Sequence, residues 1–381
     1  MTAPTGETAG RGWDGATRAE VVSLPMNRPC GQNLLQMMHQ VAALDPSPVR
    51  SGLTGVHVPF DVLTASTNYE AAAAAAVTST ARLAVIGPSG SGKTSFIGHV
   101  MDALAHTHGV GQGVAALRIP VDAEDPAVVT EPAAFAAHVV RTVARLASSQ
   151  GRIPQRQARQ HRMAAGAVTR ARQRGASVTA GVPTWLAHGD LAAQLQSVTT
   201  SVHTPTGAEL SELADTVVAT LTAAGLYPVL VIDDSDTWLA GTVADRSSNV
   251  APFFGRVLPA VARDWNAGLV VAVHESYLTM PEYPRRDGWL NTEVRLPRLS
   301  GADAVGLLLA ARASATTHQP AGVGDVAGPE GLANLHADYI AGPGSVRQMM
   351  SLAHTALTVA LDGGSAQRLE GAHVAAARAS L

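Results

Sequence analysis

Eight consecutive residues, Gly87-Pro88-Ser89-Gly90-Ser91-Gly92-Lys93-Thr94, satisfy the pattern G-x-x-x-x-G-K-[ST] without a mismatch. Each residue type has a physical task. The glycines let the backbone turn so that several N–H groups converge on one anion, and a helix beginning there adds its partial positive charge. The Lys93 ammonium suits the outer phosphates of a polyphosphate, and the Thr94 hydroxyl suits a divalent cation beside them. Ser95 follows directly and belongs with Gly87 to Thr94 as a phosphate-binding residue. Of the 27 basic residues in the chain, Lys93 alone is a lysine and all others are arginines. An ammonium is thus specified at this one position.

A second constellation lies far along the chain. Val229-Leu230-Val231-Ile232 is an apolar run that ends in Asp233 and Asp234. Ionised side chains cannot sit in the middle of a buried strand, but at its carboxyl end they emerge where open α/β sheets bind ligands. Asp233 is therefore expected to hold Mg²⁺, through waters, together with Thr94. Asp234 is expected to orient or deprotonate an attacking water, and Asp236 to cap the following loop.

These residues need a scaffold, and the patterning describes one. Residues 83–86 read as a short buried strand feeding the glycine loop, and a helix is expected from Lys93 to about 106. Further strands are expected at 115–121, 228–232, 269–273 and 292–296. Helices are expected at 32–44, 68–79, 131–148 and 210–224. Strands alternating with helices require an α/β domain, a parallel sheet covered by helices on both faces. From residue 300 onward the pattern becomes purely helical, at 302–315, 329–340, 345–361 and 371–380, so a small all-helical domain follows the sheet. The resulting organisation is a flexible segment over 1–29, an α/β domain over 30–299 and a helical domain over 300–381.

Composition is compatible with this plan and excludes several others. The chain has 381 residues, 46% of them hydrophobic, and a net charge of −3. It can bury sizeable cores and is not a polycation overall. Cys30 is the only cysteine, so no internal disulfide forms, and residues 1–14 lack the apolar run of a secretory signal. No apolar stretch approaches the ~20 residues needed to span a bilayer. A soluble cytoplasmic protein is the expectation.

The order of these elements resembles the AAA+ superfamily of P-loop ATPases, especially its origin-recognition-type and signal-transducing (STAND-like) branches. The resemblance covers roughly residues 68–380, with the two motifs above as its specific part. It implies a P-loop NTPase fold with a helical lid, and ATP and Mg²⁺ as cofactors. It further implies a polar "sensor" at the end of the third strand, where His274 stands, and an arginine finger before the last strand, where Arg285 and Arg286 stand. A lid arginine near a Gly-x-Pro-Arg sequence is also implied. This chain departs there, with Gly342-Pro343-Gly344-Ser345-Val346-Arg347, so Arg347 is the candidate substitute. The activity implied is an ATPase that couples ATP binding and Mg²⁺-dependent hydrolysis to conformational change or assembly, including homo-oligomerisation. The alternative is a nucleotide-controlled signalling or assembly switch with slow or negligible hydrolysis. Asp234 stands where strongly hydrolytic members have glutamate, which favours slow turnover.

One stretch lies outside that plan. Nine arginines occur from Arg141 to Arg174, and no acidic residue occurs from Pro132 through Gly189. Arg152, Arg156, Arg159 and Arg162 repeat at helical spacing and would give one basic face. This insertion, at about 150–190, suits the phosphate backbone of DNA, an acidic protein or self-association surface, or a solvated loop. No aromatic residue lies between Arg141 and Thr184 to stack on bases, so sequence reading is not expected.

Overall fold

The computed structural model describes residues 33–45, 57–64, 68–78, 82–107, 113–119, 126–149, 226–233, 249–264, 267–283, 290–364 and 366–381. Five strands form one all-parallel sheet: β1 (Arg82–Ile86), β2 (Gly113–Arg118), β3 (Leu226–Ile232), β4 (Gly268–Val273) and β5 (Thr292–Arg295). Their spatial order is β2-β3-β4-β1-β5. Every strand thus ends on the same side of the sheet, and β4 lies between the strand that feeds the glycine loop and the strand that ends in Asp233.

The parity of the strand residues builds the two faces. Ala84, Ile86, Leu230, Ile232, Leu269, Val271 and Val273 pack on one side with α5 (Pro126–Thr130), α6 (Pro132–Ser149) and α7 (Leu258–Asp264). Leu83, Val85, Val229, Val231, Val270, Ala272 and Val294 pack on the other with α3 (Tyr69–Thr78) and α4 (Lys93–Thr107). Because both faces are covered, β4 is buried at all six positions, which is why its sequence is a continuous apolar run and not an alternation. A π-helical turn at Phe253–Val257 precedes α7. Phe254 of that turn packs against Tyr277 and Tyr283, with ring centroids 5.7 and 5.8 Å away, and so pins the segment after β4 to the sheet.

The chain ends in α8 (Ala302–Thr317), α9 (Val323–Val326), α10 (Pro329–Ala341), α11 (Val346–Asp362) and α12 (Gly371–Ser380). They form an apolar cluster of their own around Leu309, Leu335, Ala353 and Leu357. The sequence reading places residues 34–44 with the sheet, yet Leu34, Leu35, Met38 and Leu44 are buried in this same helical cluster. They belong to α1 (Leu34–Gln40), the first element among the described residues, and to the turn that follows it. Arg312 fastens that turn from the far side of the cluster, donating to the carbonyls of Ala43 at 3.0 Å and Asp45 at 2.8 Å.

Helix α1 ends at Gln40, short of the expected residue 44. Ala42 turns left-handed at φ 49°, and Ala43 N–H and Ala42 N–H bond back to the carbonyls of Met38 and His39. That pairing is a Schellman cap, here built without its usual glycine. The one-turn helix α2 (Phe60–Leu63) joins the two units, with Phe60 in the sheet core and Leu63 in the helical core.

Candidate phosphate-binding site

The loop from Gly87 to Gly92 leaves the carboxyl end of β1 and runs into α4, the strand-to-helix context that the sequence pattern requires. Gly87 N–H is held by the Val273 carbonyl of β4 at 3.2 Å, and Ser91 N–H by the Pro88 carbonyl at 3.2 Å. Gly90 and Gly92 adopt φ of 75° and 97°, a region that costs other residues about 1–2 kcal/mol. Gly87 is needed for a different reason, because a Cβ there would stand 2.6 Å from Ser91 Oγ. The first helical bond of α4 runs from Phe96 N–H to the Gly92 carbonyl at 2.9 Å. Since Gly92 has no side chain, it offers no oxygen of its own to cap the first amides of the helix.

Lys93 is only 6% exposed. Its ammonium donates to the carbonyls of Gly87 at 2.8 Å and Pro88 at 2.9 Å, so a buried charge is solvated by the loop itself. The ammonium is thus held at the loop by the backbone that would surround an anion.

Thr94 Oγ1 donates to Asp233 Oδ1 at 3.1 Å, across 139 residues of sequence. Thr94 is exposed and Asp233 half-buried, so water and ligand oxygens have access. A hydroxyl and one carboxylate on an open surface is the donor set that suits Mg²⁺. That cation keeps several waters and takes few protein oxygens. Among the described residues no cluster of three or more His, Cys, Asp or Glu exists that would make an all-protein metal cage. Thr94 and Asp233 are therefore the residues that would hold such a cation.

His274 follows β4, next to the loop strand. It caps the 3₁₀ turn Glu275–Thr279: its Nδ1 accepts the Ser276 N–H at 3.2 Å and lies 2.7 Å from Ser276 Oγ. With Nδ1 accepting a backbone N–H, the proton of the neutral ring is on Nε2. The residue at the expected sensor position is thus the cap of the turn that follows it.

Arg347 is brought to the loop. Its backbone N–H donates to the Gly90 carbonyl at 3.0 Å, and a Cβ on Gly90 would press against Ser345 Oγ and stand 2.7 Å from Arg347 Cβ. The start of α11 is therefore docked on the apex of the glycine loop, with the Arg347 side chain exposed. Ser345 caps this helix by accepting Gln348 N–H at 3.3 Å.

Asp234, Asp236, Arg285, Arg286 and the segment 150–190 lie outside the described residues; of the arginine-rich run, Arg141 falls within α6. Ser89 lies exposed at the loop. Sequence reasoning missed a polar group beneath the loop helix, where His57, Glu70 and Ser95 are hydrogen-bonded in series. Their separations of 13 and 38 residues follow no motif, and His57 lies in a stretch that reads only as turn-rich. No protein-family model matches the chain, and no curated protein matches it significantly.

Proposed function

We propose that this chain binds a nucleoside triphosphate with Mg²⁺, ATP by preference, at Gly87 to Ser95 and Asp233, and that it is an ATPase. The observation that carries this reading is the hydrogen bond between Thr94 and Asp233. A chance glycine turn before a helix has no reason to meet the acidic end of a strand two positions away in the sheet. A metal–phosphate site needs that meeting. Lys93 would neutralise the outer phosphates, Thr94 and Asp233 would hold the cation, and Asp234 would act on the attacking water. His274 and an arginine at 285 or 286 would complete the charge stabilisation. On this reading hydrolysis drives conformational change or assembly of a homo-oligomer, with DNA or an acidic protein bound through the stretch from Arg141 to Arg174.

The alternative is a nucleotide-controlled switch with slow hydrolysis. The contact between α11 and Gly90 favours it, because loop conformation and the helical end are linked through one carbonyl. A ligand that binds the two arrangements differently would shift their populations. Steady-state turnover with and without DNA, together with the size of the particle in ATP, ADP and no nucleotide, separates the two. DNA-stimulated turnover and ATP-dependent assembly support the ATPase. Bound nucleotide that copurifies and turns over only a few times per hour or less, an order of magnitude for an unassisted site of this kind, supports the switch.

Among the described residues no helix is long and apolar enough to cross a bilayer.

A further inference from the structure

Arg298 lies in the segment that leaves β5 for α8, and the structure brings it to the same place as Arg347 by a separate route. Its side chain lies against Gly344, where a Cβ would stand 3.1 Å from Arg298 Nε and 3.4 Å from Cζ. Gly344, left-handed at φ 74°, is followed by Ser345, whose hydroxyl sits against Gly90. Two residues later, Arg347 N–H holds the Gly90 carbonyl. Arg298 therefore stands one residue away from the contact between α11 and the apex of the glycine loop. The backbone that carries it is fixed. Leu299 N–H donates to Tyr339 Oη at 3.2 Å, the Leu299 carbonyl lies 3.4 Å from His336 Nε2, and the Leu299 side chain is buried in the helical core.

The other arginines from β5 onward are engaged. Arg295, Arg368 and Arg378 face Glu293, Glu370 and Asp338, and Arg312 donates to two carbonyls. Arg298 and Arg347 are both exposed, and among the described residues neither pairs with a carboxylate. A triphosphate on the loop gives both a task. The backbone N–H groups of such a loop cradle the inner phosphates, and side-chain cations reach the outermost one. With one Mg²⁺ bound, a triphosphate keeps negative charge that the single Lys93 ammonium does not cancel. A guanidinium suits the remaining oxygens, because it stays charged and presents a planar fork of donors. One that rests on a glycine, and not on an acidic partner, breaks no ion pair when it binds and has its stem already placed.

We propose that Arg298 is a phosphate-contacting residue, which acts with Arg347 on the outermost phosphate of a bound triphosphate and makes the site prefer a triphosphate to a diphosphate. The inference rests on the nucleotide reading above and names the end of the ligand that the helical unit reads. Both arginines belong to segments rooted in the helical core, Arg298 through Leu299 and Arg347 through Met349 and Met350 of α11. Contact with a third phosphate would therefore tighten the hold of that unit on the loop, and loss of that phosphate would release it.

Calorimetric titration of the full chain with Mg²⁺ and either ADP or the β,γ-imido analogue of ATP tests this in the wild type, Arg298→Ala and Arg298→Lys. Arg298→Ala should weaken binding of the triphosphate analogue by about tenfold or more and of ADP by less than about twofold. Arg298→Lys should fall between, because an ammonium keeps the charge but not the fork. The melting temperature without nucleotide should stay at the wild-type value, since the side chain is exposed. Where Arg298→Ala melts lower, Arg298→Lys keeps the stem over Gly344 and carries the same test through its analogue-to-ADP ratio. Equal losses for the two nucleotides, or unchanged affinity for the analogue, overturn the assignment of Arg298 and leave nucleotide binding intact. Absence of wild-type binding to either nucleotide overturns both.

Discussion

Two glycine-containing turns start helices in this molecule and touch each other, yet they are built to opposite ends. The turn at Gly342 to Ser345 has a left-handed glycine, Gly344 at φ 74°, followed by a serine whose hydroxyl caps α11. Its polar needs are met internally. The turn at Gly90 to Gly92 has two left-handed glycines, a residue without a side chain at the cap position of α4, and a buried ammonium resting on its own carbonyls. The first turn carries its own cap, whereas the second offers no side chain at the cap position of its helix. A helix start can be closed by its own cap or left for a ligand to satisfy, and the proposed phosphate site requires the second.

The sharpest way to break this contrast is Lys93→Ala. Charge-assisted hydrogen bonds are worth about 1.5–3 kcal/mol each, so loss of the ammonium should weaken ATP binding by about a hundredfold, measured by calorimetry or fluorescent-analogue displacement. The docking of the two turns is probed next by Gly90→Ala beside Gly364→Ala. Both glycines are left-handed, at φ 75° and 77°, but a Cβ at Gly364 meets open space, whereas one at Gly90 meets Ser345 and Arg347. Each substitution should lose about 1–2 kcal/mol from backbone strain. Only Gly90→Ala should lose more than that in chemical denaturation, and only Gly90→Ala should alter nucleotide affinity. Equal losses would mean that the contact between α11 and the loop carries no energy.

Ser345→Ala sharpens the comparison from the other side. Removing an N-cap costs about 1 kcal/mol, so the variant should be less stable by roughly that amount with nucleotide affinity nearly unchanged. The smallest effect concerns the polar chain under α4. Because Glu70 is held below its unfolded value, its contribution to stability is present above the ordinary carboxylate pKa and is lost as pH falls through the lowered folded one. Glu70→Gln should therefore flatten the acid limb of the stability profile, followed by thermal melts at descending pH, and leave the neutral and alkaline limbs parallel to those of the wild type.

Local chemistry makes the loop legible from its residues alone. Gly87 to Thr94 is contiguous, and its glycines announce backbone needs that only they meet. The parallel sheet is legible for a related reason: strands buried on two faces, such as Gly268–Val273, have no polar positions and stand out as short apolar runs. The π-helical turn at Phe253–Val257 gives no such signal, since its aromatic packing on Tyr277 and Tyr283 depends on residues after the next strand. The place of α1 among the C-terminal helices is equally hidden, because an amphipathic stripe says that it must be buried but not against what. His57 and Glu70 show the limit most clearly. Each is an ordinary residue in its own segment, and only the approach of α3, α4 and the turn before α2 makes them a unit.

The proposed site requires one cation shared between the loop hydroxyl and the strand-end carboxylate. Its most direct test is the affinity of the full chain for ATP with Mg²⁺ and with chelator, in the wild type and in Asp233→Asn. The account predicts that Mg²⁺ tightens binding to the wild type by about tenfold or more, and that the gain vanishes in Asp233→Asn while metal-free binding is retained. Binding that ignores Mg²⁺ in the wild type, or the same Mg²⁺ gain in both proteins, would contradict it.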